Sequence, residues 1–267
     1  MNLLKKETAL IEQVSIDEAY LDLTELQKET DAADIATRFQ SLIVEQTGLT
    51  ASMGLAANKL VAKMASGHRK PAGLTIVEPG YETTFLSVLP VGKLFGIGPK
   101  WALRLNEMNI TTIADLAKAD LELLRENFGP HLGRELQERA SGYDPRPVET
   151  FRETKSISVE QTFFQDLADR RELWRQIRKM ASDLENRLQK ENLLARTIAL
   201  KLRFNNWRTI TRAITLAVPT DQASQIATNA ALLMRRTWQD RKPLRLLGLR
   251  VSNFVEPNAP RQLLLPY

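Results

Sequence analysis

Two adjacent carboxylates, Asp17 and Glu18, stand where two short apolar stretches meet, in the run Val14-Ser15-Ile16-Asp17-Glu18-Ala19-Tyr20-Leu21-Asp22-Leu23. Residues 9–23 read as two strands meeting near this pair, which puts both carboxylates at the tip of a hairpin. Acidic oxygens on a strand turn suit Mg²⁺, a hard cation that takes a few oxygen ligands and keeps its waters. In phosphoryl transfer such ions bring the attacking and leaving oxygens into line. An Asp-Glu dipeptide on its own is more often a solvated turn, so the rest of the chain decides its meaning. Asp22 lies five residues beyond Asp17, and in a regular strand that odd spacing turns it to the other side.

Two further places carry groups suited to phosphate. Lys70 follows a helix expected over residues 58–66 and sits in the basic loop Arg69-Lys70-Pro71. The residue before a proline is held extended, and a lysine there reaches a triphosphate as a point charge. Gly96-Ile97-Gly98, lying between helical segments, reads as the core of a helix-hairpin-helix. Its glycines let the backbone approach a phosphate and the next helix aims its first amides at it, with Lys100 adding charge. Leu94, Ile97, Leu103 and Leu105 are expected to support the motif from inside. Contacts of this kind ignore base sequence.

Composition removes several alternatives. The 267-residue chain has no cysteine, which excludes disulfides and thiolate metal sites. Its only histidines are His68 and His131, so a serine–histidine triad or a histidine zinc site has little support. No apolar run approaches the roughly 18 residues of a membrane span. The N-terminal run Met1-Asn2-Leu3-Leu4-Lys5-Lys6 lacks a signal-peptide layout, so a cytoplasmic location and no membrane partner are expected. Charge is uneven. Residues 1–154 hold 17 lysines and arginines against 22 acids, whereas residues 155–255 hold 19 against 9, a net of +10. A basic module of this kind points to a polyanion partner.

The elements that must position these groups follow from periodicity and punctuation. Residues 31–47 have helical spacing through Ile35, Phe39, Leu42 and Ile43, with Gly48 as a stop. Residues 49–56 and 74–77 read as strands around the helix over 58–66. Residues 79–142 are mostly short helices, and the proline-bearing stretch 143–154 reads as a linker. Residues 155–255 look like a β-α-β unit repeated, giving a four-stranded sheet with both helices on one face. Side chains alternate across a strand, so the helix-free face should collect Ser156, Ser158, Lys201, Arg203, Arg250 and Ser252, with Glu160 its one acid. These are phosphate-binding side chains.

In this order the motifs resemble the Y-family DNA polymerases, most closely the bacterial DNA polymerase IV branch. The resemblance is carried by Ser15-Ile16-Asp17-Glu18-Ala19-Tyr20-Leu21-Asp22, residues 54–63, Lys70-Pro71-Ala72-Gly73, Gly96-Ile97-Gly98, Lys155-Ser156-Ile157 and Arg245-Leu246-Leu247-Gly248-Leu249. It implies an α+β protein with a partial palm of mixed sheet and helices at 1–78 and a small helical thumb with the helix-hairpin-helix at 79–142. The linker at 143–154, a DNA-gripping little finger at 155–255 and a clamp-binding tail at 256–267 would follow. The implied activity is translesion DNA synthesis, a two-metal nucleotidyl transfer on primer–template DNA from deoxynucleoside triphosphates, by a monomer. Asp17 would then bind both Mg²⁺ ions and Glu18 the one at the primer 3′-hydroxyl, while Lys70 touches the incoming triphosphate. Arg245 and Arg250 would lie near the template backbone. Gln262, Leu265 and Tyr267 would anchor the tail on a sliding clamp, with Pro266 a departure from the pattern.

Members of the family begin with a palm strand bearing the first metal-binding aspartate, then an aromatic steric gate and the fingers. None of these stands ahead of Asp17 in this sequence, so an incomplete metal site is expected. Two readings stay open. The chain is part of a translesion polymerase that needs the further segment, or it is a non-catalytic DNA- and clamp-binding module. A helix-hairpin-helix repair glycosylase would leave the Asp-Glu hairpin and the basic sheet unused.

Overall fold

The structure is a computed structural model that describes residue 4 and residues 10–26, 31–239 and 242–257. The chain divides into two compact units, Met1–Arg152 and Glu153–Tyr267. In the first, β1 (Ile11–Gln13) and β2 (Ala19–Leu21) form an antiparallel hairpin with Ile11 opposite Leu21. The amides of Val14 and Ser15 both donate to the Glu18 carbonyl, at 2.9 and 3.2 Å, and this closes the turn. Helix α1 (Ala32–Thr47) starts at Asp31, whose carboxylate accepts from the Ala33 amide, and stops at Gly48 with φ of 69°. Leu4, Ile11, Ile35 and Phe39 form the core between hairpin and helix.

Strand β3 (Met53–Leu55), helix α2 (Lys59–His68) and strand β4 (Leu74–Ile76) make a β-α-β unit, with β3 and β4 parallel. The strand expected over residues 49–56 shrinks to three residues, because Leu49 stands 68% exposed outside the sheet. A Cβ on Gly54 would fall 2.1 Å from the Ala62 carbonyl oxygen, so the absence of a side chain is what lets β3 lie on α2. Among the described residues the two strand pairs are separate sheets.

Short helices follow: α3 (Glu82–Ser87), α4 (Pro99–Glu107), α5 (Ile113–Lys118), α6 (Leu121–Phe128) and α7 (Pro130–Ala140), with a 3-10 turn at Val91–Lys93. Their core joins α2 through Leu60, Leu86, Leu105, Ile113, Leu124 and Leu136. Leu94 and Ile97 are buried as expected, but Leu103 is 64% exposed. It lies two residues from the buried Leu105, which is more than half a helical turn away from the inner stripe. Gly142 and the first part of the stretch 143–154, expected as a linker, are tied to this unit. The Asn58 side-chain amide donates to the Gly142 carbonyl (2.9 Å), the Leu60 amide to Asp144 (3.1 Å) and the Glu149 amide to Glu12 (2.9 Å).

The second unit is a single antiparallel sheet in the order β5-β8-β6-β7, built from β5 (Ser156–Leu167), β6 (Leu194–Phe204), β7 (Thr209–Thr220) and β8 (Leu244–Val255). Helices α8 (Arg170–Lys190) and α9 (Ala223–Thr237) share one core with it. Leu173, Ile177 and Leu184 of α8 and Ile226, Ala230 and Leu233 of α9 meet Ile198, Leu200, Leu202, Leu249 and Val251 of the sheet. Because the inward set occupies alternate positions, the residues between them form the other face. The register aligns that face into rows: Ser156-Ser252-Thr197, Ser158-Arg250-Ala199, Glu160-Gly248-Lys201 and Thr162-Leu246-Arg203. Strand β7 extends these rows with Thr215, Ala213, Thr211 and Thr209.

Candidate active site

The hairpin turn presents Asp17 to solvent and Glu18 half-buried beside it. The Ser15 hydroxyl donates to Asp17 Oδ1 at 2.5 Å. That bond comes first among the causes that hold the Asp17 carboxyl below its ordinary value, and the positive charges of Lys63 and Lys70 add to it. Glu18 is held differently, by an ion pair from Lys63 Nζ to Oε2 at 2.5 Å. One helical turn earlier on α2, Lys59 pairs with Glu12 of β1 at 2.6 Å and lies 5.6 Å from the Tyr20 ring centre. Two lysines at i and i+4 face the same way on a helix, so α2 clasps the hairpin at two points.

The base of the hairpin is more enclosed. Burial pushes the Glu12 carboxyl up, but the Glu149 amide and Lys59 outweigh it and leave the group below its ordinary value. The Tyr20 hydroxyl is pushed up to about 12 by burial and then by the negative charge of Glu18. The Asp144 side chain, 3% exposed, receives a forked pair of bonds from Arg146 at 2.6 and 2.9 Å as well as the Leu60 amide. Desolvation raises the Asp144 carboxyl, and these donors together bring it below the ordinary value. A cleft of about 670 Å³ runs beside the hairpin, lined by Tyr20, Asp22, Asn58, Lys59, Asp144 and Arg146 among others.

The residues expected to act thus fall in several places. Asp17, Glu18 and Lys70 share one electrostatic neighbourhood, since the Lys70 charge acts on Asp17. Lys70 is exposed and precedes Pro71 through a cis peptide bond. Asp22 is engaged locally, its Oδ1 accepting the Thr24 amide at 2.9 Å. Gly96, Gly98 and Lys100 mark the start of α4, where Pro99 takes the first helical position and no side chain caps the end. Gly96 has φ of 95°, and a Cβ there would meet the Arg139 guanidinium at 2.7 Å, so this turn requires glycine. Among the described residues no group of three or more histidines, cysteines, aspartates or glutamates converges to hold a metal ion.

On the second unit Ser156, Lys201, Arg203 and Arg250 lie in the rows of the open face. Arg245 sits at the break in register between β6 and β8, with its guanidinium 4.5 Å from the centre of the Trp207 ring. Gln262, Leu265 and Tyr267 lie outside the described residues. No helix of the described residues is long and apolar enough to cross a membrane. The sequence reading passed over Lys59, Lys63, Tyr20, Asp144 and Arg146. The four-residue spacing of the two lysines, set against acids at Glu12 and Glu18, was the available signal.

Comparison with known proteins accounts for most of the chain. Residues 1–67 match the impB/mucB/samB family, residues 92–144 the DNA polymerase-iota thumb domain, and residues 154–265 the impB/mucB/samB family C-terminal domain. DNA polymerase IV of Listeria monocytogenes serotype 4b (strain CLIP80459) is 40% identical over 250 residues, covering 92% of this chain and 69% of the relative. DNA polymerase IV of Alkalilimnicola ehrlichii is 38% identical over 266 residues, covering 98% and 74%. Among solved structures, a Y-family DNA polymerase chimera of Dbh and Dpo4 superposes with a TM-score of 0.87 at 25% identity, covering 96% of this chain and 74% of that one. An insertion ternary complex of Dbh DNA polymerase gives 0.64 at 25% identity, covering 96% and 74%. The chain belongs to the Y-family of DNA polymerases. Within that family it is similar to DNA polymerase IV.

Proposed function

We propose that this chain serves translesion DNA synthesis, adding deoxynucleotides to a primer end on template DNA. The observation that carries this reading is the Asp17-Glu18 pair, held at a hairpin tip with Lys70 within electrostatic range. Both groups are hard oxygen donors and reachable from solvent, which fits Mg²⁺, an ion usually bound through one or two carboxylates with substrate phosphates and water completing its shell. When bound, the metal supplies the charge that aligns the primer hydroxyl with the triphosphate. The Ser15 hydroxyl donates to Asp17 and holds its carboxyl below the ordinary value, which favours the ionised form that a metal ion needs. Lys63 fixes where Glu18 points, and Lys70 steadies the triphosphate as a point charge.

The other parts hold the substrate. The start of α4 with Gly96, Gly98 and Lys100 receives a duplex phosphate through backbone amides. The open face of the second unit takes the template and primer backbones through Ser156, Lys201, Arg203 and Arg250, with Arg245 beside it. In domain terms, residues 1–78 serve as palm, 79–142 as thumb and 155–255 as little finger. Gln262, Leu265 and Tyr267 dock the tail on a sliding clamp. The second reading is a DNA- and clamp-binding module without catalysis. It is supported by the basic rows of the open face, whose contacts with a duplex backbone need no metal.

Primer extension with Mg²⁺ separates the two. The chain is compared with its Asp17→Ala/Glu18→Ala double variant on the same primer–template. Extension by the parent and not by the variant is expected. DNA binding by both with no extension by either would establish the module instead.

A further inference from the structure

Glu160 is the one carboxylate in the rows of the open face, and it does not point away. Both of its oxygens accept from Lys201 Nζ at 2.9 Å. The two residues belong to β5 and β6, which are not neighbours: β8 runs between them. Two strand spacings amount to roughly 9.6 Å, too far for adjacent backbones to bring a glutamate and a lysine together over an ordinary side chain. The residue in the way is Gly248, paired with Glu160 on one side and Lys201 on the other. A Cβ on Gly248 would fall 2.9 Å from Glu160 Cγ, so the glutamate lies in the space a side chain would take. The pair is part-exposed, 32% for Lys201 and 39% for Glu160.

An ion pair this exposed adds little stability, yet it places an anion on the lysine best centred to meet a phosphate. Arg250 and Arg203 flank it in the adjoining rows. We infer that Glu160 is a built-in competitor for phosphate at Lys201: its carboxylate occupies the lysine in the DNA-free chain and must be displaced when a backbone phosphate arrives. The exchange weakens the grip at the middle of the face, which favours release and movement along DNA over tight holding. The inference rests on the reading that this face binds DNA, and the experiment separates the two.

Equilibrium binding of primer–template DNA to the full chain is measured at fixed low salt for the parent, Glu160→Gln, Lys201→Met and the double variant. Lys201→Met is expected to weaken binding, and Glu160→Gln to tighten it about two- to fivefold, the scale of an exposed ion pair. The deciding quantity is the gain from Glu160→Gln in each background. Competition for Lys201 requires the gain to be larger with the lysine present. An equal or larger gain in the Lys201→Met background would mean simple repulsion between Glu160 and DNA, and would overturn the exchange while leaving the face as a binding surface. No weakening by Lys201→Met would overturn the exchange, because it would remove Lys201 from the contacts with DNA. Circular dichroism of each variant, expected to match the parent, guards against loss of fold.

Discussion

Asp17 and Glu18 are neighbours in sequence but are secured by different means, one by a hydroxyl two residues away and the other by an ammonium 45 residues away. The Ser15 hydroxyl is the first cause of the low Asp17 value, so Ser15→Ala should move that carboxyl back up towards the ordinary aspartate range. A carboxyl-carbon NMR titration reads this directly, and an unchanged Asp17 curve would assign the shift to Lys63 and Lys70 instead. The position of the pair was legible because alternation puts it between two apolar runs. Its attachment to Lys63 was not, since nothing local reports how a helix docks on a hairpin. Tyr20 and Asp144 escaped for the same reason: their environments are made by segments distant in sequence.

At the scale of elements, α2 organises the first unit. Asn58 caps it by accepting the Val61 amide, Asp144 takes the Leu60 amide, and Lys59 and Lys63 hold the hairpin. Gly54→Ala would drive a methyl into the Ala62 carbonyl, and overpacking of this kind costs about 1–3 kcal/mol or more. Urea unfolding should show the loss, and a midpoint equal to the parent's would mean that β3 can lift off the helix freely. Asp144 gives the same interface a pH dependence. Its folded value lies below the ordinary 3.8, so its contribution is complete above that value and is lost as pH falls through the lower folded one. Acid should therefore destabilise the parent more than Asp144→Asn, as melting temperatures between neutral pH and pH 3 would reveal. Helix α1 was legible to within a residue because its apolar spacing runs unbroken to the stop at Gly48. The strand over 49–56 was overextended because apolar alternation continues past the point where a partner strand is available.

For the whole molecule, the two units have separate cores, and the positive charge is concentrated in the second. Residues 153–257 alone should unfold cooperatively and retain most of the DNA affinity, falling about tenfold or more between low and moderate salt. Filter binding at several salt concentrations checks this; a flat profile would remove the sheet face from the interface. The repeated β-α-β pattern made this unit readable, since strand alternation gave its open face directly. Within the stretch 143–154, residues 143–149 form a pinned strap, a distinction that prolines and charges alone do not reveal. That strap has a mechanical consequence. Among the described residues, the last backbone amide to be anchored in the first unit is that of Glu149, and its anchor is Glu12 at the base of the Asp17-Glu18 hairpin. Any tension in the chain between the units is therefore delivered to the root of the Asp17-Glu18 turn and not to a distant surface.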